Sequence, residues 1–141
     1  MATSQSRTDK YNEAYWSGLA EGVLRMPRCR NCARLQYPMG PCCSHCLGEE
    51  FEWIRLSGRG KVYSYVVYHH AFHPSFKHRL PYNVVEIALE EGVKVISNVV
   101  GIEHAAITNG MPVHSVFEWE GEVPVLRFRP IHAEPQDRGQ A

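Results

Sequence analysis

The sequence predicts a mainly β protein in which a short helix and a four-cysteine ribbon precede a small five-stranded barrel. Three observations predict this order. A helically spaced apolar pattern comes first, two CxxC pairs ten residues apart follow, and the remainder alternates β-branched and aromatic segments with glycine turns. The 141 residues are 44% apolar, which is enough for a packed core. This length suits one ordinary domain or two very small ones.

Residues 1–22 are predicted to form a polar tail followed by a short amphipathic helix over residues 11–20. Gly22 follows the helix as a stop signal. The helix carries more aromatic side chains than is usual for one that faces solvent. It therefore either packs on its own domain or docks on another chain. The residues proposed for such docking are Tyr15, Trp16 and Leu19.

Residues 23–50 carry a metal-binding pattern, and residues 23–41 are expected to supply two short strands and the first tight turn. The candidate ligands are the four cysteines of the CxxC pairs: Cys29, Cys32, Cys43 and Cys46. Zn²⁺ accepts four sulfurs tetrahedrally, which predicts a rubredoxin-like zinc ribbon holding one Zn²⁺. The ion is expected to be structural, because four sulfur ligands leave no open position for a substrate. Iron in the same geometry is the alternative, and Cys42 is interpreted as a bystander.

Residues 51–131 are predicted to form the barrel, and residues 132–141 a tail. Short turns and one longer excursion between residues 70 and 81 suit a small closed barrel of the OB type better than an open sandwich. The five strands are expected over residues 61–70, 82–89, 93–102, 112–120 and 123–129.

The order of these features resembles a family of zinc-ribbon/OB-fold proteins associated with acyl-CoA enzymes, known as a domain-of-unknown-function family. The resemblance extends over residues 11–130. Ala33 stands where the ribbon of this family often has glycine, and Ser44 stands where proline is common. The matching segments, besides the four cysteines, are 15–19 (YWSGL), 57–64 (SGRGKVYS), 80–86 (LPYNVVE), 89–92 (LEEG), 109–113 (NGMPV) and 123–130 (VPVLRFRP).

This resemblance implies an accessory subunit without catalytic residues of its own. Such proteins bind a thiolase-like, aldolase or hydratase partner in a hetero-oligomer and help to complete or stabilise its acyl-CoA site. A thiolase-superfamily partner that forms or cleaves a carbon–carbon bond is the expected case, and the acyl-CoA ligand is expected to be shared with it.

The segment between the first two barrel strands offers what an acyl-CoA ligand needs: cations for phosphates, aromatic rings and apolar surface. The predicted substrate-binding residues are Phe72, Phe76, Lys77, Arg79 and Tyr82. In the other interpretation, the two phenylalanines plug the barrel mouth and the cations are solvated.

No catalytic constellation is visible in the sequence. His69, His70 and His73 invite a metal or acid–base role, but neighbouring strand residues point to opposite faces, and no acid lies close in sequence to orient them. The aspartates, Asp9 and Asp137, fall in predicted tails. The segment around Gly58 is too short for a phosphate loop and precedes a strand.

Two rival functions remain open. An iron-bearing electron carrier would be red. A nucleic-acid-binding module could stack bases on Tyr63, Tyr65 and Tyr68, although strict alternation places only the first two on one face. Lys+Arg and Asp+Glu number 15 each, which counts against nucleic acid.

The charge is nevertheless unevenly distributed along the chain. The stretches 22–48 and 54–85 carry no acid, whereas 86–126 has seven glutamates against Lys94 alone. This pattern predicts either a basic face for a phosphorylated ligand or an acidic partner, or charges that cancel in the fold. No apolar run resembles a secretory signal or a membrane span, so a cytoplasmic location is expected.

Overall fold

The computed structural model describes residues 12–37, 40–70 and 80–131. It confirms a mainly β fold with an N-terminal helix, a four-cysteine ribbon and a nearly closed barrel of five strands. None of the described helices has the length and apolar character needed to cross a lipid bilayer. The elements are α1 (Glu13–Glu21), β1 (Arg25–Cys29), β2 (Phe51–Arg55), β3 (Arg59–Tyr68), β4 (Tyr82–Leu89), β5 (Lys94–Ser97), a 3₁₀ turn (His104–Ala106), β6 (Pro112–Glu120) and β7 (Val123–Pro130).

Helix α1 ends where the sequence predicts a stop. Gly22 has a left-handed φ of 78°, a conformation that glycine adopts without steric cost. The N–H of Gly22 bonds to the Leu19 carbonyl at 3.1 Å, and the N–H of Val23 bonds to the Gly18 carbonyl at 2.8 Å. The buried face consists of Tyr15, Gly18 and Leu19, and it packs against both β1 and β7. The helix therefore joins the ribbon to the barrel.

The ribbon sheet pairs β1 with β2 in antiparallel register, with Met26 opposite Ile54. The sequence pattern placed both ribbon strands before residue 42, but the partner of β1 comes after the second CxxC pair. Among the residues described between the two CxxC pairs, only Leu35 makes a bridge, to Arg28. The reason is geometric: the two cysteine turns must face each other, so the chain returns beside β1 only after both are complete.

The barrel strands follow the order β5-β4-β3-β6-β7. A parallel bridge between Val99 and Phe128 nearly closes the barrel, with the Val100 N–H bonded to the Phe128 carbonyl at 2.8 Å. The predicted strand 93–102 is regular only as far as Ser97, because the chain beyond it turns away from β4 to meet β7. This order, with the parallel closure, is the OB-type barrel that the sequence predicts.

A β-bulge in β3 changes which tyrosines share a face. The pairing of β3 with β4 shifts between Val62 and Ser64. Tyr65 lies opposite the buried Val85, on the same side of the sheet as that residue, although its own side chain is 37% exposed. Tyr68 lies opposite Tyr82 on the outer side, where Tyr63 also lies, beneath Lys94. The expectation that Tyr63 and Tyr65 share a face is wrong, because one extra residue reverses the alternation.

One continuous hydrophobic core unites the helix, the ribbon and the barrel. Its centre holds Met26 from the ribbon together with Val85, Ile87, Val113 and Phe128 from the barrel, all with 0% exposure. The helix contributes two further members of the same cluster, Tyr15 and Leu19. The ribbon therefore depends on the barrel for burial of its apolar side chains.

We predict that Gly18→Ala destabilises the fold. Alanine normally stabilises a helix interior relative to glycine by about 1 kcal/mol. Here a Cβ would lie 2.7 Å from the Val23 carbonyl oxygen, so the turn after α1 would have to shift. We expect the free energy of unfolding, measured by urea titration, to fall by about 1–3 kcal/mol.

The neighbouring variant Ser17→Ala is the control. Ser17 is exposed, and its hydroxyl donates a hydrogen bond to the Ala14 carbonyl within the helix. This variant should change stability by no more than about 0.5 kcal/mol. A Gly18→Ala protein as stable as the control would contradict the steric argument.

Candidate metal centre and cleft

The four cysteines predicted as metal ligands converge in the structure. Their Sγ atoms all lie within 4.8 Å of one another. Cys29 and Cys46 have sulfurs 3.5 Å apart, and those of Cys32 and Cys43 are 3.7 Å apart. Sulfurs about 2.3 Å from a tetrahedral Zn²⁺ are separated by about 3.8 Å, so the set fits one such ion. Cys42 is not part of this cluster.

Two tight turns with matching hydrogen bonds build the cluster. In the first turn, the Ala33 N–H bonds to the Cys29 carbonyl at 2.9 Å, and in the second the Leu47 N–H bonds to the Cys43 carbonyl at 2.9 Å. Backbone N–H groups also point at the sulfurs, among them that of His45, 3.3 Å from the Cys43 Sγ. Such hydrogen bonds stabilise thiolates and fix their orientation toward an ion.

The same hydrogen bonds shift the acidity of the thiols. The Asn31 amide, followed by the Gly48 backbone N–H, lowers the pKa of Cys46 to about 6. Backbone N–H groups of Cys46 and His45 also lower the pKa of Cys43. For Cys32, the Arg34 backbone N–H acts in the same direction, but burial and the neighbouring thiols outweigh it and raise the pKa to about 11. A cation bound at this site would displace the protons that remain on its thiol ligands.

Each turn ends in a strained residue. Ala33 and Leu47, which follow the last cysteine of the two turns, both have a left-handed φ of 67°. A non-glycine residue in this conformation costs about 1–2 kcal/mol. Ala33, which stands where the ribbon of the family often has glycine, therefore occupies a position whose backbone conformation favours glycine.

A cleft of about 770 Å³ lies beside α1. Tyr15, Trp16 and Leu19 of the helix line it. The start of β4, including Tyr82, and His104 line it as well. The floor follows the seam where β5 and β7 approach each other. The volume is in the range of small-molecule sites.

Hydrogen bonds within the protein fix the polar groups that line this cleft. The buried Asn83 side chain donates to the Val99 carbonyl at 2.8 Å and accepts from the Val99 N–H at 2.8 Å. The His104 Nδ1 lies 3.3 Å from the Asn83 Nδ2, and its Nε2 lies 3.2 Å from the Pro81 carbonyl oxygen. Since the amide is a donor to Nδ1, His104 carries its proton on Nε2. On the β7 side, the Arg127 guanidinium pairs with Glu120.

Sequence reasoning missed Asn83 and His104. The signal for Asn83 was present, because alternation along β4 places residues 83, 85, 87 and 89 on the buried face, where an amide must find hydrogen-bond partners. No comparable signal marked His104, which reaches the cleft from the 3₁₀ turn.

The cleft brings together residues from both sets predicted from sequence. Tyr15 and Leu19 are buried against their own chain, whereas Trp16 is half-buried at the cleft wall. Tyr82 stacks on Tyr68 with ring centroids 5.1 Å apart. The other predicted substrate-binding residues (Phe72, Phe76, Lys77 and Arg79) and His73 lie outside the described residues. His69 and His70 are exposed.

Two family models match consecutive parts of the chain. The model described as "ChsH2, rubredoxin-like zinc ribbon domain" matches residues 16–52. The model described as "ChsH2, C-terminal OB-fold domain" matches residues 53–118.

Similar curated proteins include subunits of acyl-CoA enzymes. A "Probable enoyl-CoA hydratase alpha subunit" of Thermomonospora curvata is 39% identical over 130 residues, covering 89% of this chain but only 39% of that protein. A "DUF35 domain-containing scaffold protein" of Methanocaldococcus jannaschii is 37% identical, covering 74% of this chain and 79% of that protein. A "Benzoylsuccinyl-CoA thiolase subunit BbsA" of Thauera aromatica is 35% identical, covering 55% of this chain and 52% of that subunit.

A solved structure titled "Ltp2-ChsH2(DUF35) aldolase" has the same fold. Its matching chain is 36% identical and superimposes with a TM-score of 0.76, covering 86% of this chain and 95% of that one.

We predict that Ala33→Gly stabilises the protein. Glycine removes the Cβ that makes the left-handed φ of 67° costly. The free energy of unfolding of the metal-loaded protein should rise by up to about 1 kcal/mol in a denaturant titration.

The matched control is Ala20→Gly, at an exposed position in α1. Glycine there should lower the free energy of unfolding by about 1 kcal/mol, because it weakens a helix. If both alanine-to-glycine changes destabilised the protein equally, the strain assigned to Ala33 would be refuted.

Proposed function

The chain belongs to the ChsH2/DUF35 family of zinc-ribbon and OB-fold proteins, and from that premise we propose that it is a non-catalytic accessory subunit of an acyl-CoA-processing complex. Its partner is a thiolase-superfamily enzyme that forms or cleaves a carbon–carbon bond on an acyl-CoA. The observation that supports this most is the set of relatives, which are named as subunits of a hydratase and a thiolase and as part of an aldolase. This chain covers only 39% of the first of these proteins, so the proposal does not extend to the whole activity of that protein.

In this proposal the metal centre holds one structural Zn²⁺. The four-sulfur set satisfies the coordination of zinc without a position for substrate. The ion matters for folding, because residues 30–37 and 40–50 contain no regular strand that would hold the two cysteine turns together. Iron in the same site is the lesser alternative.

The cleft beside α1 is the part of the surface where the subunit helps to complete the acyl-CoA site of its partner. Trp16 offers a half-exposed ring in the cleft that Tyr82 also lines, and an aromatic side chain of this kind is a frequent anchor in interfaces. Tyr15 and Leu19 support that ring from the core, so their part in docking is to hold the helix in place. The segment with Phe72, Phe76, Lys77 and Arg79 connects β3 to β4, and its binding role stays a prediction. A cytoplasmic location completes the proposal, in keeping with the absence of disulfides among the five cysteines.

We predict that Cys46→Ser abolishes metal binding and unfolds the ribbon, whereas Cys42→Ser retains the metal. Elemental analysis of the purified wild-type protein should give one zinc per chain without the visible absorption of iron bound by four sulfurs. Cys42 is the matched control, since it is the cysteine outside the cluster. Metal loss in Cys42→Ser would overturn the ligand assignment.

The function is tested by gentle purification of the native complex from source cells, followed by mass spectrometry of the proteins that co-elute. We expect a thiolase-like, aldolase or hydratase enzyme in stoichiometric amount, with acyl-CoA activity that depends on this subunit. Trp16→Ala should weaken the complex at least tenfold while the zinc content stays normal. Recovery of the chain alone, or with nucleic acid, would contradict the proposal.

A further inference from the structure

The outward-facing residues of β3, β4 and β5 form a surface that we call the outer face. Along β4, burial alternates, with 83, 85, 87 and 89 buried and 82, 84, 86 and 88 facing out. Val66 pairs with Val84, and Ile96 pairs with Glu86, so both belong to the outward-facing set. Lys94 pairs with Ala88 in the same way.

The outer face carries exposed apolar side chains at positions where a solvated sheet normally carries polar ones. Ile96 is 66% exposed, Tyr63 55% and Val66 50%. Tyr63 and Val66 lie on β3 and Ile96 lies on β5, with β4 between them. The outward-facing Val84 of β4 pairs with Val66 and lies two residues from Glu86, the partner of Ile96, so Val84 connects the two sides into one patch around Glu86. Contiguous exposed apolar surface of this kind marks interaction sites.

This patch is continuous with the cleft. Ile96, Val84 and Tyr82 belong to the outer face and also line the cleft, together with Trp16. A partner seated over the cleft would therefore extend onto the outer face without a break.

The charges around the patch indicate the chemistry of the partner. Lys61 and Lys94 lie at one end of the outer face, opposite each other across Ala88. Within the described residues, neither lysine is paired with a carboxylate. Glu86 lies on β4 between Ile96 and Ser64 and accepts a hydrogen bond from the Ser64 hydroxyl at 3.4 Å. A complementary surface would be apolar where it meets Ile96, Val84 and Val66, with carboxylates facing the lysines.

The outer face carries lysines and tyrosines, but it is poorly suited to binding nucleic acid. Base stacking needs free ring faces. The Lys94 ammonium lies 3.7 Å from the centre of the Tyr63 ring and covers it. Tyr68 and Tyr82 stack on each other, and Tyr65, which is 37% exposed, lies on the other side of the sheet from the outer face. No row of open rings runs along β3.

We propose that the outer face is the surface on which the partner enzyme docks, through an apolar patch of that enzyme flanked by carboxylates. This inference rests on the proposed function, because it takes its partner to be the acyl-CoA enzyme of the complex. Ile96 and Val66 supply the apolar contact, and Lys94 and Lys61 supply the charge complementarity.

The test uses the full chain and the partner enzyme identified by the native purification. The dissociation constant of the complex is measured for wild type, Ile96→Glu and Lys94→Glu. Trp119→Glu is the matched control, since Trp119 is a large apolar side chain with 56% exposure on β6, outside the outer face and outside the cleft lining. We expect Ile96→Glu to weaken binding at least tenfold and Trp119→Glu to change it less than twofold. Lys94→Glu should weaken binding about tenfold at low salt, with the difference shrinking as salt rises.

Each alternative outcome overturns a distinct claim. If wild type binds the enzyme and both outer-face variants bind equally well, the docking surface is wrong and the proposed function stands. If wild type does not bind the enzyme, the proposed function itself fails. If the variants lose binding to a labelled oligothymidine instead, with enzyme affinity unchanged, the face is a nucleic-acid site. Lys94 is exposed, so Lys94→Glu keeps the test decisive even if Ile96→Glu does not fold.

Discussion

The ribbon cannot bury a hydrophobic core of its own, and the rest of the structure is arranged around that constraint. At one end, four sulfurs within 4.8 Å of one another hold two tight turns that contain almost no regular secondary structure. At the other end, Met26 and Leu24 are buried in the core of the barrel. The strand β1 connects the two ends. A metal ion at the sulfurs would therefore stabilise local structure that packing alone does not support.

The constraint extends to the surface beside the helix. Helix α1 packs on β1 as well as on β7, so its position over the barrel depends on the ribbon. The Tyr15 ring, whose pKa is raised by burial, also contacts Tyr37 at 4.7 Å between centroids. Because α1 lines the cleft and packs on β1, the ribbon helps to position one side of the cleft. A structural metal can in this way be required for a binding surface that lies outside its own coordination sphere.

At the closure of the barrel, hydrogen bonds from a side chain take the place of strand-to-strand backbone hydrogen bonds. The Asn83 amide provides both hydrogen bonds to Val99 that a strand neighbour would otherwise supply, while Val99 bridges to Phe128. This frees the chain after Ser97 to leave β4, which opens the cleft at the seam. The uneven charge of the sequence is partly cancelled in the same fold: Arg59 pairs with Glu90, and Arg28 pairs with Glu52. Lys61 and Lys94, at the end of the outer face, form no ion pair with any described carboxylate.

The sequence by itself determined the features that depend on local spacing and residue type. The CxxC spacing predicts the four-sulfur set, Gly22 marks the end of α1, and alternating apolar residues predict the barrel strands, because these signals act within a few residues of the chain. Tertiary structure alone decided the rest. The extra residue in the bulge of β3 placed Tyr63 and Tyr65 on opposite faces of the sheet. The strand that pairs with β1 came after the second CxxC pair, and His104 reached Asn83 from a separate 3₁₀ turn. Such relationships arise between segments distant in sequence, where packing and hydrogen-bond geometry, rather than local preference, select the arrangement.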